Sequence, residues 1–360
     1  MTNYPVHDPK TEDSCFSLLL NKAKKVPGSR LIIADENVRG SNLQFVSCSQ
    51  TTVITNRYDI FEQAKFLKIN IFFNDFDFSD FPDNSFSQVL FRVSKEKVLT
   101  HHIIKSAYRL LRDSGELLMS GEKGDGIKTY GEKAAQYFGT PTQIKKNGMV
   151  YLSTTQRLET KENQLARHTI EDKSYADLTQ CIPFADQMLA SKPGLFGWSK
   201  IDEGSTFLGD FFPEFLSCFN KEPVNILDLG CGYGYLSIRA SQHTKAQIVA
   251  TDNNAAAIIA CSKNFSTLEI NGEVVASNCA DNINQLFDAI ICNPPFHKGF
   301  TTDSGLTRQF VASSYRHLKP KGMALFVVNR FVPLENYVEK NFKVRLVAET
   351  TSFKLLLLVK

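Results

Sequence analysis

Around residue 293 the chain reads Asp288-Ala-Ile-Ile-Cys-Asn293-Pro294-Pro295-Phe296-His297, an apolar run that ends in an amide, two prolines and an aromatic ring. The side-chain oxygen of Asn293 and the Pro294 carbonyl can accept the two hydrogens of a base amine or side-chain amide. That grip turns the nitrogen lone pair toward an electrophile. Pro294 and Pro295 stiffen the backbone, and Phe296 offers a face on which a planar acceptor can stack. No strong base is required, because the nitrogen proton becomes acidic once a new bond to nitrogen has formed. Asn-Pro is also ordinary turn chemistry, but here it follows a second motif by about sixty residues.

That motif is Asn225-Ile-Leu-Asp228-Leu-Gly230-Cys-Gly232-Tyr-Gly234, a buried strand running into a glycine turn that opens a helix. Glycines suit close approach of a ligand and backbone angles that a Cβ penalises. Position 235 is Tyr, so the spacing is G-x-G-x-G and departs from the dinucleotide fingerprint. It favours S-adenosylmethionine, whose sulfonium methyl is the electrophile the amine clamp calls for. Asp228 at the strand end can organise the turn and attract the cationic methionine part. Asp252 closes the next strand about 20 residues downstream, where a carboxylate can accept both ribose hydroxyls; capping the following helix is a compatible role. After the third strand, Asn278 or Asp281 can meet the adenine amino group, and Asn278 is preferred.

The elements that must hold these loops alternate in type. From about Pro223 the pattern predicts strands over 224–229, 246–251, 273–277, 287–292 and 323–329, with helices over 235–243, 255–268 and 306–318. Two final runs, 344–349 and 353–360, are joined by a short polar turn and predict an antiparallel hairpin. This is a doubly wound α/β sheet. The N-terminal half repeats the order more faintly, with strands over 30–34, 52–55, 86–91 and 116–120 and helices over 58–68 and 99–111. Phe86-Ser-Gln-Val-Leu-Phe91 matches Phe287-Asp-Ala-Ile-Ile-Cys292, and the stretch 106–115 matches 313–322, both at an offset near 200 residues. Any two α/β domains share some such pattern, yet the common offset favours duplication. The expected layout is a first domain over 1–155, a connecting segment over 156–190 and a second domain over 191–360. In the first copy Ala34-Asp-Glu-Asn-Val-Arg-Gly40 stands for the glycine turn and Arg92-Val-Ser-Lys95 for the amine clamp. Neither function survives there.

Composition sets the bounds. In 360 residues, a 42% hydrophobic and 22% charged chain argues against disorder. No apolar stretch approaches the ~20 residues of a membrane span, and the N-terminus does not read as a secretory signal. Eight scattered cysteines without a C-x-x-C pair fit reduced thiols in a cytoplasmic protein and neither a disulfide frame nor a metal site. Net charge is +3 and evenly spread, which gives no vote for nucleic acid. Lys123, Lys128, Lys133, Lys145, Lys146 and Arg157 could hold RNA or form a solvated face.

The stretches Lys192-Pro-Gly-Leu-Phe196, Ile201-Asp-Glu-Gly-Ser205, 228–234, Asp252, Asn293-Pro-Pro-Phe-His297 and Asn329-Arg-Phe-Val-Pro333 resemble the RsmC-type family of ribosomal RNA guanine-N2 methyltransferases. That resemblance implies two tandem class I methyltransferase-like (Rossmann-like) domains, the N-terminal one degenerate. It implies S-adenosylmethionine as cofactor, Ser205 on the cofactor side, and the N2 of a guanine in small-subunit ribosomal RNA as acceptor. The implied partner is ribosomal RNA or the small ribosomal subunit, with no membrane or metal and a monomeric chain. The first domain is then a structural and RNA-binding support. Gly197-Trp198 and Glu203 depart from the family's wording. Related loops serve large-subunit guanine, adenine and protein glutamine; Phe296 in place of Tyr tilts the reading to guanine. A methyltransferase of protein glutamine or a small molecule, and a non-catalytic RNA-binding or assembly protein, are the rivals.

Overall fold

The structure, a computed structural model, describes residues 13–24, 27–39, 41, 43–46, 50–158, 170, 175–295, 297–298, 301–302, 304–338 and 342–360. The chain divides into two compact units, Met1–Asp177 and Leu178–Lys360.

The first unit runs α1 (Ser14–Ala23), β1 (Arg30–Ala34), β2 (Thr51–Thr55), α2 (Tyr58–Phe66), β3 (Asn70–Phe73), β4 (Phe86–Arg92), α3 (Lys97–Leu110), β5 (Leu111–Glu122), α4 (Ile127–Phe138), β6 (Thr142–Asn147) and β7 (Val150–Gln156). Its sheet order is β3-β2-β1-β4-β5-β7-β6. The second unit opens with the hairpin β8 (Thr179–Phe184) and β9 (Gln187–Ser191), then α5 (Glu203–Asp210), α6 (Phe212–Ser217), β10 (Asn225–Leu229), α7 (Tyr235–Ser241), β11 (Gln247–Asp252), α8 (Ala255–Thr267), β12 (Gly272–Ala276) and β13 (Phe287–Cys292). It continues with the two-residue strands β14 (His297–Lys298) and β15 (Thr301–Thr302), then α9 (Ser304–His317), β16 (Leu318–Asn329), β17 (Lys343–Glu349) and β18 (Phe353–Val359). Its sheet order is β12-β11-β10-β13-β16-β18-β17, the same permutation as in the first unit. In both, the first five strands of that order are parallel, and the last two pairings of the sheet are antiparallel.

The central strands are apolar throughout because each face is covered. Every residue of β4 is buried, and so are four of the five in β10. Alternation with period two deals Ile226, Ala250 and Ile291 to one core of the second unit and Leu227, Leu229 and Ile290 to the other. Asp228 therefore shares the face of Ile226. The β8–β9 hairpin, 179–191, takes up the last part of the connection expected over 156–190 and the first residue after it. It is fixed by Asn264 of α8, whose Oδ1 accepts from Ala190 N at 2.8 Å and whose Nδ2 donates to Ala190 O at 3.0 Å and Tyr233 O at 2.8 Å. Most of 156–176 lies outside the described residues.

The two sheets also agree in register. Arg30 faces Thr51 and Gln88, as Ile226 faces Ile248 and Ala289. Gln88 and Ala289 in turn face Glu116 and Met323, each the residue after a glycine of the matched segments. Counting along the strands sets Ile32 against Asp228, Ala34 against Gly230, Thr55 against Asp252 and Arg92 against Asn293.

Candidate active site

In the second unit the chain steps outward from β10 to β11 and β12, then returns to β13 on the other side of β10. Asp228 pairs with Ile291, so the turn after Leu229 and the loop after Cys292 leave the same sheet edge side by side. The Cys292 thiol donates to Leu229 O at 3.1 Å across that seam. Such a reversal point is where α/β sheets bind ligands.

The glycine turn is tied to the neighbouring strand, with Gly230 N and Cys231 N both donating to Thr251 O at 2.9 and 2.8 Å. Gly230, Gly232 and Gly234 have φ of +83°, +55° and +92°. The three are glycine for different reasons. A Cβ on Gly234 would lie 2.7 Å from Cys261 Sγ and one on Gly230 3.0 Å from Phe310 Cε1, whereas one on Gly232 meets nothing within 4 Å. Gly232 therefore faces open space, and its N–H donates to Asp252 Oδ2 at 3.0 Å. The other oxygen of Asp252 accepts from Asn254 N at 2.8 Å. Helix α8 is capped by Asn254, which accepts from Ala256 N at 3.0 Å, so the capping role considered for Asp252 falls to its neighbour. Asp252 is left braced at the turn with lone pairs to spare.

Asp228 is fully buried, and its Oδ2 accepts from both Ser237 N at 3.0 Å and Ser237 Oγ at 2.6 Å at the start of α7. Its Oδ1 is buried without a hydrogen-bond partner. Burial pushes the carboxyl up to about 7, against the lowering effect of the Ser237 bonds and with a further push from Asp252. An orphaned acidic oxygen beside a turn with room at Gly232 fits a cationic group entering there. Nearby thiols are held neutral: burial raises Cys261 and Cys292. Neither competes as a thiolate nucleophile.

Past β12 the two adenine candidates separate. Asp281 pairs with Arg316 at 2.7 Å on the exterior. Asn278 stays beside the turn, its Oδ1 accepting from Asn253 Nδ2 at 3.4 Å, one residue from Asp252.

On the acceptor side, Asn293 Nδ2 donates to Asp202 Oδ2 at 2.9 Å and to Ser205 Oγ at 2.8 Å. Asp202 is the N-cap of α5, and the same Oδ2 accepts from Ser205 N at 2.8 Å. A carboxylate accepts only, so the amide nitrogen must face it and Oδ1 must face away. Both amide hydrogens are spent, and Oδ1 is the atom left to accept. Ser205, expected on the cofactor side, has its hydroxyl on this amide. Pro294 is buried and Pro295 exposed; Phe296 lies outside the described residues, as do the side chains of His297 and Lys298. Asp202 was not singled out from sequence, although an acid three residues before Ser205 at a helix start is a capping signal. Ser237 and Asn264 carried no comparable signal.

The first unit shows what has replaced the site. Arg92 stands where Asn293 does, and its guanidinium bonds Asp13 Oδ2 at 3.3 Å, Asp125 Oδ2 at 2.6 Å and Val93 O at 2.8 Å. Asp13 is the N-cap of α1, accepting from Phe16 N at 2.7 Å as Asp202 accepts from Ser205 N. The cap and its partner persist, but a buried ion pair fills the clamp. Ile32 and Thr55 replace the two carboxylates. Of the basic residues considered for RNA, Arg157 is inside the unit, bonded to Asn84 Oδ1 and Leu111 O and lying over the Tyr108 ring at 4.8 Å. Lys145 and Lys146 are exposed.

Among the described residues no helix is long and apolar enough to cross a membrane. Residues 186–357 match the methyltransferase small domain family. The chain is 28% identical over 279 residues to ribosomal RNA small subunit methyltransferase C of Shewanella amazonensis, covering 76% of this chain and 77% of that protein. It is 36% identical over 166 residues to the protein of that name from Photorhabdus laumondii, 45% and 47% of the two chains. A solved T. thermophilus 16S rRNA N2 methyltransferase (RsmC), in complex with AdoMet and guanosine, has the same fold at a TM-score of 0.78 and 20% identity, over 97% of this chain and 92% of that one. With the paired sheets, the glycine turn and the Asn-Pro-Pro loop in place, the second unit carries a methyltransferase small domain, and the chain is similar over about three quarters of its length to class I methyltransferases of the RsmC type.

Proposed function

We propose that the chain transfers the methyl group of S-adenosylmethionine to the exocyclic N2 of a guanine in small-subunit (16S) ribosomal RNA. One observation carries the reading: both Asn293 amide hydrogens are engaged by Asp202 and Ser205, which leaves Oδ1 as the atom that can accept from an amine. The relatives' names supply the substrate class. In this reading Asp252 accepts the ribose hydroxyls, Asn278 meets the adenine, and Asp228 favours the cationic methionine part. The cofactor supplies an activated methyl on a positively charged sulfur. Asn293 Oδ1 and the Pro294 carbonyl would accept hydrogen bonds from the two N2 hydrogens, with Pro295 and Phe296 completing the loop, and one of those protons leaves to solvent once the methyl has transferred. Rate then comes from orientation at a pre-set amide, with no general base. A guanine within folded RNA must be unstacked to reach this loop, at a cost on the order of a few kcal/mol.

Transfer belongs to the second domain, 191–360 in the sequence-based layout, while the first, 1–155, supports it and the RNA. The enzyme works as a monomer in the cytoplasm, without a metal. The test is mass mapping of ribosomal RNA from cells with and without this chain, alongside transfer of labelled methyl to separated subunits, free RNA and protein. Label in a small-subunit guanine is the expected outcome. Label in protein alone, or in the large subunit, overturns the assignment.

A further inference from the structure

The first unit retains the outline of a cofactor pocket, and one side chain stands inside it. Asn74 N donates to Thr55 O at 3.1 Å, as Ser277 N donates to Asp252 O at 2.9 Å, so the next residue, Asp75, holds the position of Asn278. The hydroxyl of Tyr175 donates to Asp75 Oδ1 at 3.0 Å. Tyr175 is 2% exposed, and its ring lies 5.2 Å from that of His102 on α3. It joins the core that holds Ile33 and Ile54, next to the ends of β1 and β2, and Phe76 beside Asp75. His102 is itself fixed, its Nε2 2.9 Å from Phe76 O and its ring stacked on Phe78 at 5.7 Å. The slot thus has the His102 ring along one side and a carboxylate at one end. It suits a planar ring with a hydrogen-bond donor on its rim.

We propose that Tyr175 is an internal ligand: its phenol ring fills the first unit's former adenine pocket, and Asp75 accepts the bond that an adenine amino group would give. The inference rests on the reading of Asn278 as the adenine contact of the second unit. It assigns an aromatic-ring site that the chain occupies with its own residue. Together with the Arg92 ion pair, it closes both halves of the vestigial site. Emptying the slot leaves a cavity the size of a ring, and cavities of this kind bind small aromatics.

The test uses the full chain saturated with S-adenosylhomocysteine, so that the second unit is blocked, and calorimetric titration with adenine. The wild type should take up none and Tyr175→Ala one adenine per chain, with a rise in melting temperature. Tyr175→Phe keeps the ring and should take none; Tyr175→Ala combined with Asp75→Leu should lose the site. If phenol raises the melting temperature of Tyr175→Ala but adenine does not, the slot is a plain core cavity and the proposal falls. It falls also if neither binds. Should Tyr175→Ala be recovered only as insoluble chain, the readout becomes soluble yield on refolding with each ligand, and adenine must restore it. Failure of the second-unit reading looks different: S-adenosylhomocysteine would then bind Asn278→Ala as tightly as the wild type.

Discussion

At the scale of single residues, the amide of Asn293 should matter to turnover and little to the cofactor. Asn293→Ala is expected to lower kcat on the order of 10²–10³-fold with nearly unchanged cofactor affinity; unchanged turnover in a methyl-transfer assay would remove the clamp from the mechanism. The glycines should separate in the same way. Gly234→Ala meets Cys261 at 2.7 Å as well as an unfavourable φ, and should lose on the order of 2–4 kcal/mol by denaturant melt. Gly232→Ala bears only the backbone cost of about 1–2 kcal/mol, yet places a methyl in the open space of the turn and should abolish cofactor binding. Asp228 carries a pH signature. Its folded value of about 7 lies above the ordinary 3.8, so between those values the folded chain holds a proton that the unfolded chain has released. Its contribution to stability therefore falls as pH rises through that window and is flat above it. Asp228→Asn should gain on the wild type as pH goes from 4 to 7, read from paired urea melts; a difference that does not move with pH counts against the buried carboxyl.

At the scale of elements, α5 places two of the three members of the amide grip, Asp202 and Ser205. Asp202→Ala removes the cap, worth about 1 kcal/mol, and lets the Asn293 amide turn, so kcat should drop roughly tenfold or more while KM for the cofactor holds. A stability loss with kcat intact would reduce Asp202 to a cap. This helix also marks where sequence reading stopped. Strands β1, β10 and β13 were legible because a strand covered on both faces is an unbroken apolar run. The β17–β18 hairpin was legible from its short polar turn. Strand β3 was not, since Asn70-Ile-Phe-Phe73 at the sheet edge is only partly buried and shows no clean alternation. Nor were α5 and the β8–β9 hairpin, whose positions depend on the buried Asn264 and on Gly204, where a Cβ would come within 3.0 Å of Phe353. Local pattern reports which face is apolar, and these contacts join residues some 70 to 150 positions apart. The glycine turn and Asn293 were visible because their chemistry is compressed into one short loop each. The partners of Asn293 come from about 90 residues earlier.

At the scale of the whole chain, duplication has left one unit with its site filled by structure. The Arg92 side chain is 9% exposed between Asp13 and Asp125. Removing one member of such a group leaves its partners buried and unpaired. Arg92→Met should therefore destabilise the first unit by on the order of 3–5 kcal/mol and create no second cofactor site. Calorimetry should still count one cofactor per chain where the variant folds; two would mean that the vestigial turn at Ala34 remains competent.

The grip on Asn293 has a consequence for dissection of the enzyme. The glycine turn and the Asn-Pro-Pro loop both lie after residue 223, and a fragment cut there would keep them and both strand-end acids. It would lack α5, so its amide could spin freely and present nitrogen or oxygen to the base. Such a fragment should hold the donor and still discriminate poorly among acceptors, because the side chains that orient the amide come from a helix ahead of the first parallel strand.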